Sequence, residues 1–150
     1  MSLIVQKYGG SSVKDNQHLQ KVAKRIADSF RQGNQMVVVL SAQGKTTDQL
    51  IEKSKEITHT AQERELDVLL STGEQMSISL LAMALQEFNC PAVSLCGWQV
   101  GIHTDMTYQN ARILKVDTKK IRKYLEQGMV VIVAGFQGVN EEGDITTLGR

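Results

Sequence analysis

Aromatic residues are scarce in this 150-residue chain, at 5%, which removes the stacking platforms on which single-stranded nucleic acid is held. An excess of charge is missing too. Lys and Arg number 17 against 16 Asp and Glu, a formal net charge of +1, so no global field draws the chain to nucleic acid or to an anionic membrane surface. The basic runs Lys14, Lys21, Lys24, Arg25 and Lys119, Lys120, Arg122, Lys123 recur at helical spacing and read as solvated helix faces. Long apolar runs are lacking. The stretch SISLLAMAL, residues 77–85, is too short to cross a bilayer, and Lys7 with the glycines after it interrupts the N-terminal run before a signal peptide could form. The only cysteines, Cys90 and Cys96, flank one strand candidate on one face, too far apart to bridge, and read as buried thiols of a reducing compartment. With His18, His59 and His103 scattered, no metal-ligand spacing is present. These absences predict a cytoplasmic protein with no nucleic-acid partner, no membrane partner and no metal site.

What remains is an ordinary globular composition, 41% apolar and 22% charged, of a length suited to one domain. Residues 3–8 read as a strand apolar nearly throughout, and the β-branched run MVVVL (36–40) as a strand buried on both faces. Between them, Leu19, Val22, Ala23, Ile26 and Phe30 share one face of a helix over 15–32, capped by Asp15 or Asn16 and closed by Gly33. Thr46 or Thr47 can cap a helix running to about Thr58. Residues 61–89 are helical in propensity, with STGE (71–74) marking a break or a second cap. Residues 91–97 read as a strand, 97–111 as a loop or irregular hairpin, 112–116 as a strand, 118–128 as a helix and 129–136 as a fourth buried strand. The alternation predicts an α/β fold, a mostly parallel sheet with helices on both faces, incomplete at its C-terminus because the polar tail 137–150 simply stops.

In such a sheet, ligands bind beyond the carboxyl ends of the strands. Polar segments stand at those positions: KYGGSS, SAQGKTTD, STGEQ, GFQG and TTLGR. In KYGGSS a lysine stands beside glycine amides and hydroxyls, which suits phosphoryl oxygens, although a strand ending in a flexible turn would look the same. SAQGKTTD contains Gly-Lys-Thr, yet a P-loop needs a glycine where Val39 stands. Glu74 follows Gly73 and either complements a helix dipole or holds a substrate ammonium. A different nucleotide-binding module and a non-catalytic interaction domain are the alternatives to an enzyme.

Taken in order, these segments resemble the aspartokinases of the amino acid kinase family. K-[FY]-G-G-[ST]-S is matched by Lys7 to Ser12, and V-V-S-A-x-G-x-T-T-D-x-L by Val39 to Leu50, with Leu40 as the one difference. G-E-x-x-S is matched by Gly73 to Ser77, G-F-x-G by Gly135 to Gly138, and T-T-L-G-R by Thr146 to Arg150. The resemblance implies an αβα sandwich that transfers the γ-phosphoryl group of ATP, carried with Mg2+, to the β-carboxylate of L-aspartate, on the route to lysine, threonine and methionine. It implies that Lys7, Gly9, Gly10 and Ser12 meet the ATP phosphates, with Lys7 catalytic. Ser41 and Thr47 would lie by the transferred group and the substrate, Glu74 by the aspartate ammonium and Arg150 by its α-carboxylate. The family continues past this motif with Gly-Gly-Ser-Asp, a nucleotide-base subsite and regulatory domains. The 150 residues are therefore expected to be the N-terminal part of a catalytic domain, inactive alone, with an open edge on residues 129–136 that favours a homo-oligomer.

Overall fold

The computed structural model describes residues 1–149; Arg150 lies outside the described residues. The chain runs β1 (Leu3–Tyr8), a 3-10 turn (Gly10–Val13), α1 (Asn16–Arg31), β2 (Gln35–Leu40), α2 (Thr46–Lys55) and α3 (Glu63–Glu87). It continues through β3 (Ala92–Leu95), α4 (Gly97–Val100), β4 (Ile102–Thr104), β5 (Ile113–Val116), α5 (Lys119–Glu126), β6 (Val130–Ala134), β7 (Gln137–Val139) and β8 (Ile145–Thr147).

β1, β2, β6 and β3, in that order, form a parallel sheet. Its inner strands β2 and β6 are apolar almost throughout because both faces are covered, whereas β1 at the edge leaves Leu3, Val5 and Lys7 exposed. Met36, Val38, Leu40, Val130, Ile132 and Ala134 point into one core with Leu19, Val22 and Ile26 of α1 and Leu81 and Leu85 of α3. Their alternates Val37, Val131 and Val133 point into a second core with Leu95, Val100 and Leu125, against which Ile121 and Tyr124 of α5 pack. The period of two along each strand thus distributes one apolar run between two layers of helix.

A second sheet, ordered β5-β4-β7-β8, stands beyond the carboxyl ends of the first. β3 reaches it through the single turn of α4, and β6 runs into it through Gly135 and Phe136. Its pairings are antiparallel for β4 with β5 and β7 with β8, and parallel for β4 with β7.

Four expectations are corrected. STGE does not break the helix: α3 is continuous over 25 residues. Gly73 lies on its packed face, where an added Cβ would come within 3.1 Å of the Ala42 side chain. Close packing there overrides its low helix propensity. Although α3 is long and apolar enough to cross a membrane by length and composition, it carries the buried carboxylates Asp67 and Glu74 and packs on α1, α2, β3 and β8, as a core helix does. Residues 97–100, expected in a loop, form α4, whose start is fixed by Gln99 Oε1 accepting from the Cys96 N–H (2.8 Å). The polar tail, expected only to stop after the last strand, carries two further strands, β7 and β8, which make a hairpin. Finally, residues 129–136 have no open edge. β6 lies between β2 and β3 and is bonded to both, because a late strand inserts between earlier ones. The route to a homo-oligomer through that strand falls with it; the outer strands of this sheet are β1 and β3.

Candidate functional site

The loops after β1, β2 and β6 and the middle of α3 are bound to one another by short polar contacts. Ser41 N–H donates to the Tyr8 carbonyl (3.1 Å), Gly44 N–H to the Gly10 carbonyl (2.9 Å) and Gly135 N–H to the Leu40 carbonyl (2.9 Å). Ser77 Oγ on α3 donates to the Ser41 carbonyl (2.8 Å). These bonds explain the serine of G-E-x-x-S: it fastens α3 to the loop after β2, with Glu74 one turn away on the same helix.

The glycine pair after β1 divides into two different cases. A Cβ on Gly10 would stand 2.9 Å from the Ala42 carbonyl oxygen and 3.0 Å from that of Gly44, so the second loop itself requires a glycine there. Gly9 has an extended backbone (φ −80°, ψ 172°), and an added Cβ would meet nothing within 4 Å. No packing within the described chain calls for glycine at position 9. Open space beside a backbone amide is what a close-approaching ligand requires.

Neither threonine of the second loop caps α2 through its side chain. Thr46 Oγ1 donates backward to the Gln43 carbonyl (2.6 Å), Gly44 takes a left-handed φ of +52°, and Thr47 is left to face outward. A cavity of about 750 Å³ opens there, at the carboxyl ends of the parallel strands. Lys7, Gly10, Ser41, Thr47 and Glu74 line it, as the sequence predicts for a common cleft. Gly9 and Ser12, although on the same loop, are exposed and do not line it. Arg150 lies outside the described residues, while its neighbours Leu148 and Gly149 do line the cavity.

The polar wall sets one ammonium, Lys7, and the hydroxyls of Ser41 and Thr47 against two carboxylates, Asp48 and Glu74. Beside Lys7 on the same sheet face stand Val39 and Val133, its neighbours in register, and Ile102 adds a further apolar part of the lining. Glu74 is only 2% exposed. Its charge adds to burial in pushing the Cys96 thiol upward, while burial alone dominates for Cys90. Both cysteines are free and buried. Among the described residues, no group of three His, Cys, Asp or Glu side chains is arranged to hold a metal.

Sequence reasoning missed Asp48, although it stands in the T-T-D of the second motif, and also the polar groups under the second sheet. Gln137 is fully buried; its Nε2 donates to the Ser71 carbonyl (2.7 Å) and its Oε1 accepts from the Gly97 N–H (3.1 Å). Thr104 and Thr146 share a buried hydroxyl–hydroxyl bond of 2.7 Å. Phe136, in the turn between β6 and β7, has φ +68° and lines the cavity. A bulky residue in that region marks a constrained turn.

The model of the amino acid kinase family matches residues 2–150. The chain is 55% identical over 150 residues to an aspartokinase of Geobacillus stearothermophilus and 52% identical to aspartokinase 2 of Bacillus subtilis. All of this chain and 37% of each relative are covered, so it spans little more than a third of their length. Among solved structures, aspartate kinase from Synechocystis superposes with a TM-score of 0.80 at 46% identity, over 99% of this chain and 24% of that one. Escherichia coli aspartokinase III in complex with aspartate and ADP gives 0.83 at 22% identity, over 99% of this chain and 44% of that one, a likeness of fold.

Proposed function

The chain belongs to the amino acid kinase family, and from that premise we propose that it is the phosphate- and acceptor-binding part of a cytoplasmic aspartate kinase. The reaction is transfer of the γ-phosphoryl group of ATP to the β-carboxylate of L-aspartate. What carries the reading is the convergence of Lys7, Ser41, Thr47 and the buried Glu74 on one cavity at the carboxyl ends of the strands. Whole-chain identity of about half to proteins named aspartokinase supports it.

A β-carboxylate has a pKa near 4 and is already ionised at neutral pH, so the acceptor needs no general base. One carboxylate oxygen attacks the γ-phosphorus as the bond to the β-phosphate bridging oxygen breaks, giving an acyl phosphate and ADP. The protein's task is alignment and neutralisation of charge on the phosphoryl oxygens. Lys7 supplies the ammonium on the nucleotide side, and the open approach at Gly9, with the Gly10 and Ser12 turn behind it, admits the phosphates. Mg2+ would travel on the nucleotide's oxygens as part of that substrate. Glu74 receives the aspartate ammonium, Ser41 and Thr47 border the transferred group, and Arg150 is assigned the α-carboxylate.

The test is a chimera in which these 150 residues replace the matching segment of the Geobacillus stearothermophilus protein, with aspartyl phosphate trapped as its hydroxamate. Turnover is expected, and Lys7→Ala should lower kcat by about a thousandfold, the scale of losing one preorganised charge-stabilising donor. Lys7→Arg should not restore it, because a planar guanidinium cannot replace a compact ammonium against glycine amides. Near-normal turnover in Lys7→Ala would end the assignment of Lys7. Absence of turnover in a folded chimera would end the reading as a whole.

A further inference from the structure

Asp67 is a carboxylate with no exposure at all, placed on α3 about two turns before Glu74 and on the same face. Four donors converge on it. Its Oδ2 accepts from the backbone N–H of Gln109 (3.1 Å) and of Thr147 (3.0 Å). Its Oδ1 accepts from Thr147 Oγ1 (2.7 Å) and from Gln109 Nε2. Gln109 has a left-handed φ of +63°, a conformation a glutamine holds only where its surroundings fix it. Thr147 is the last residue of β8. Beyond it, Leu148 N–H donates to the Phe136 carbonyl (2.9 Å) and Gly149 N–H to the Ala111 carbonyl (3.3 Å), and both residues line the cavity.

We propose that Asp67 is a positioning residue: by clasping Gln109 and Thr147 to α3, it sets the end of β8 at a fixed distance from Glu74 across the cavity. Helix and strand end are far apart in sequence; Gln137 on Ser71 and Arg64 on Asp144 also join α3 to the β7–β8 hairpin, but of these only Asp67 holds the last residue of β8 itself. The clasp makes the two walls of the site one rigid unit. Its consequence for substrate rests on the aspartate reading above; the clasp itself does not.

Amide hydrogen exchange on the 150-residue chain tests it, with Val38 and Ile132 as core references. In Asp67→Ala, exchange at Gln109, Thr147 and Gly149 should rise by about ten- to a hundredfold, as expected when hydrogen bonds to a charged group are lost, while the references hold. Asp67→Asn should stay within about threefold of wild type. Its remaining oxygen can face the two backbone amides, and the Thr147 hydroxyl and Gln109 amide can both turn to accept from its NH2. If the alanine variant does not fold, Thr147→Val carries the test, with the same rise expected at Gln109 and Gly149. Unchanged exchange at those amides, or an equal rise in the references, overturns the clasp. Titration with L-aspartate, followed at the Thr47 and Gly149 amides, should show binding weakened at least about tenfold by Asp67→Ala and restored by Asp67→Asn. Equal affinity in wild type and the alanine variant severs the clasp from the site. No binding by wild type removes the aspartate reading, and the exchange result still decides the clasp.

Discussion

The two sheets of this molecule are held by opposite means. The parallel sheet is dry: Val38, Val130, Val131, Ile132 and Ala134 are wholly buried between apolar helix faces. The small sheet is pinned by polar side chains. Gln137 reaches Ser71 and Gly97, Thr104 meets Thr146, and Asp67 takes Gln109 and Thr147. Apolar packing is spread over many contacts and degrades gradually. A buried polar contact depends on a single partner, and leaving one donor unmet costs its whole desolvation. The first sheet supplies stability, and the second fixes where the cavity walls stand.

The largest effect expected is therefore in the parallel sheet. Ile132→Ala should lower unfolding free energy by about 2–5 kcal/mol, the range for deleting a large buried aliphatic side chain, and shift the whole denaturant transition. A loss below about 1 kcal/mol would show that the central strand is less tightly packed than its burial implies. Next comes Gly10→Ala, whose Cβ must push the loop after β2; about 1–3 kcal/mol is expected from such overpacking. Gly9→Ala, with open space and extended backbone, should leave thermal stability unchanged and weaken nucleotide binding instead. Equal destabilisation by both glycine substitutions would erase the distinction drawn between them.

Gln137→Leu keeps the volume and removes the acceptor of the Gly97 N–H, for a cost of about 1–3 kcal/mol. Faster hydrogen exchange confined to residues 97–104 and 137–147 would mark the small sheet as a separate unit; uniform loss across both sheets would merge them. The smallest effect concerns the outer clasp. Arg64 Nη2 and Nε donate to Asp144 (2.7 and 3.0 Å) and the Tyr108 hydroxyl also donates to it (2.7 Å). Arg64, then Tyr108, hold the Asp144 carboxyl below its ordinary value of 3.8. Because the folded pKa is the depressed one, this contribution is present above about pH 4 and is lost as pH falls through the lower folded value. A carboxyl titration by NMR should show the Asp144 midpoint moving up toward 3.8 in Arg64→Ala, and an unmoved midpoint would deny the ion pair.

Legibility followed the same division. The runs MVVVL and VVIVA announced buried strands because a strand covered on both faces has no polar period to confuse, and the motif segments after the strands fell where a parallel sheet puts ligands. Around Gly73 a local signal pointed the wrong way, since a glycine in a helix reads as a break until a neighbour is seen pressing on it. Gln109 carries no turn signature; its conformation exists because Asp67, distant in sequence, accepts both its donors.

By itself, the sequence determined the α/β alternation, the inner strands buried on two faces, and the short motif segments that carry Lys7, Ser41, Thr47 and Glu74. Those are properties of short segments, set by side-chain period, turn residues and capping. Tertiary structure alone decided that β6 lies between β2 and β3, that α3 runs through Gly73, and that Gly10 serves loop packing while Gly9 stays open. It also decided that Asp67 ties α3 to β8. Each of these depends on groups brought together from distant parts of the chain, and a hydrogen bond or a close approach leaves no mark on either partner's sequence until both are in place.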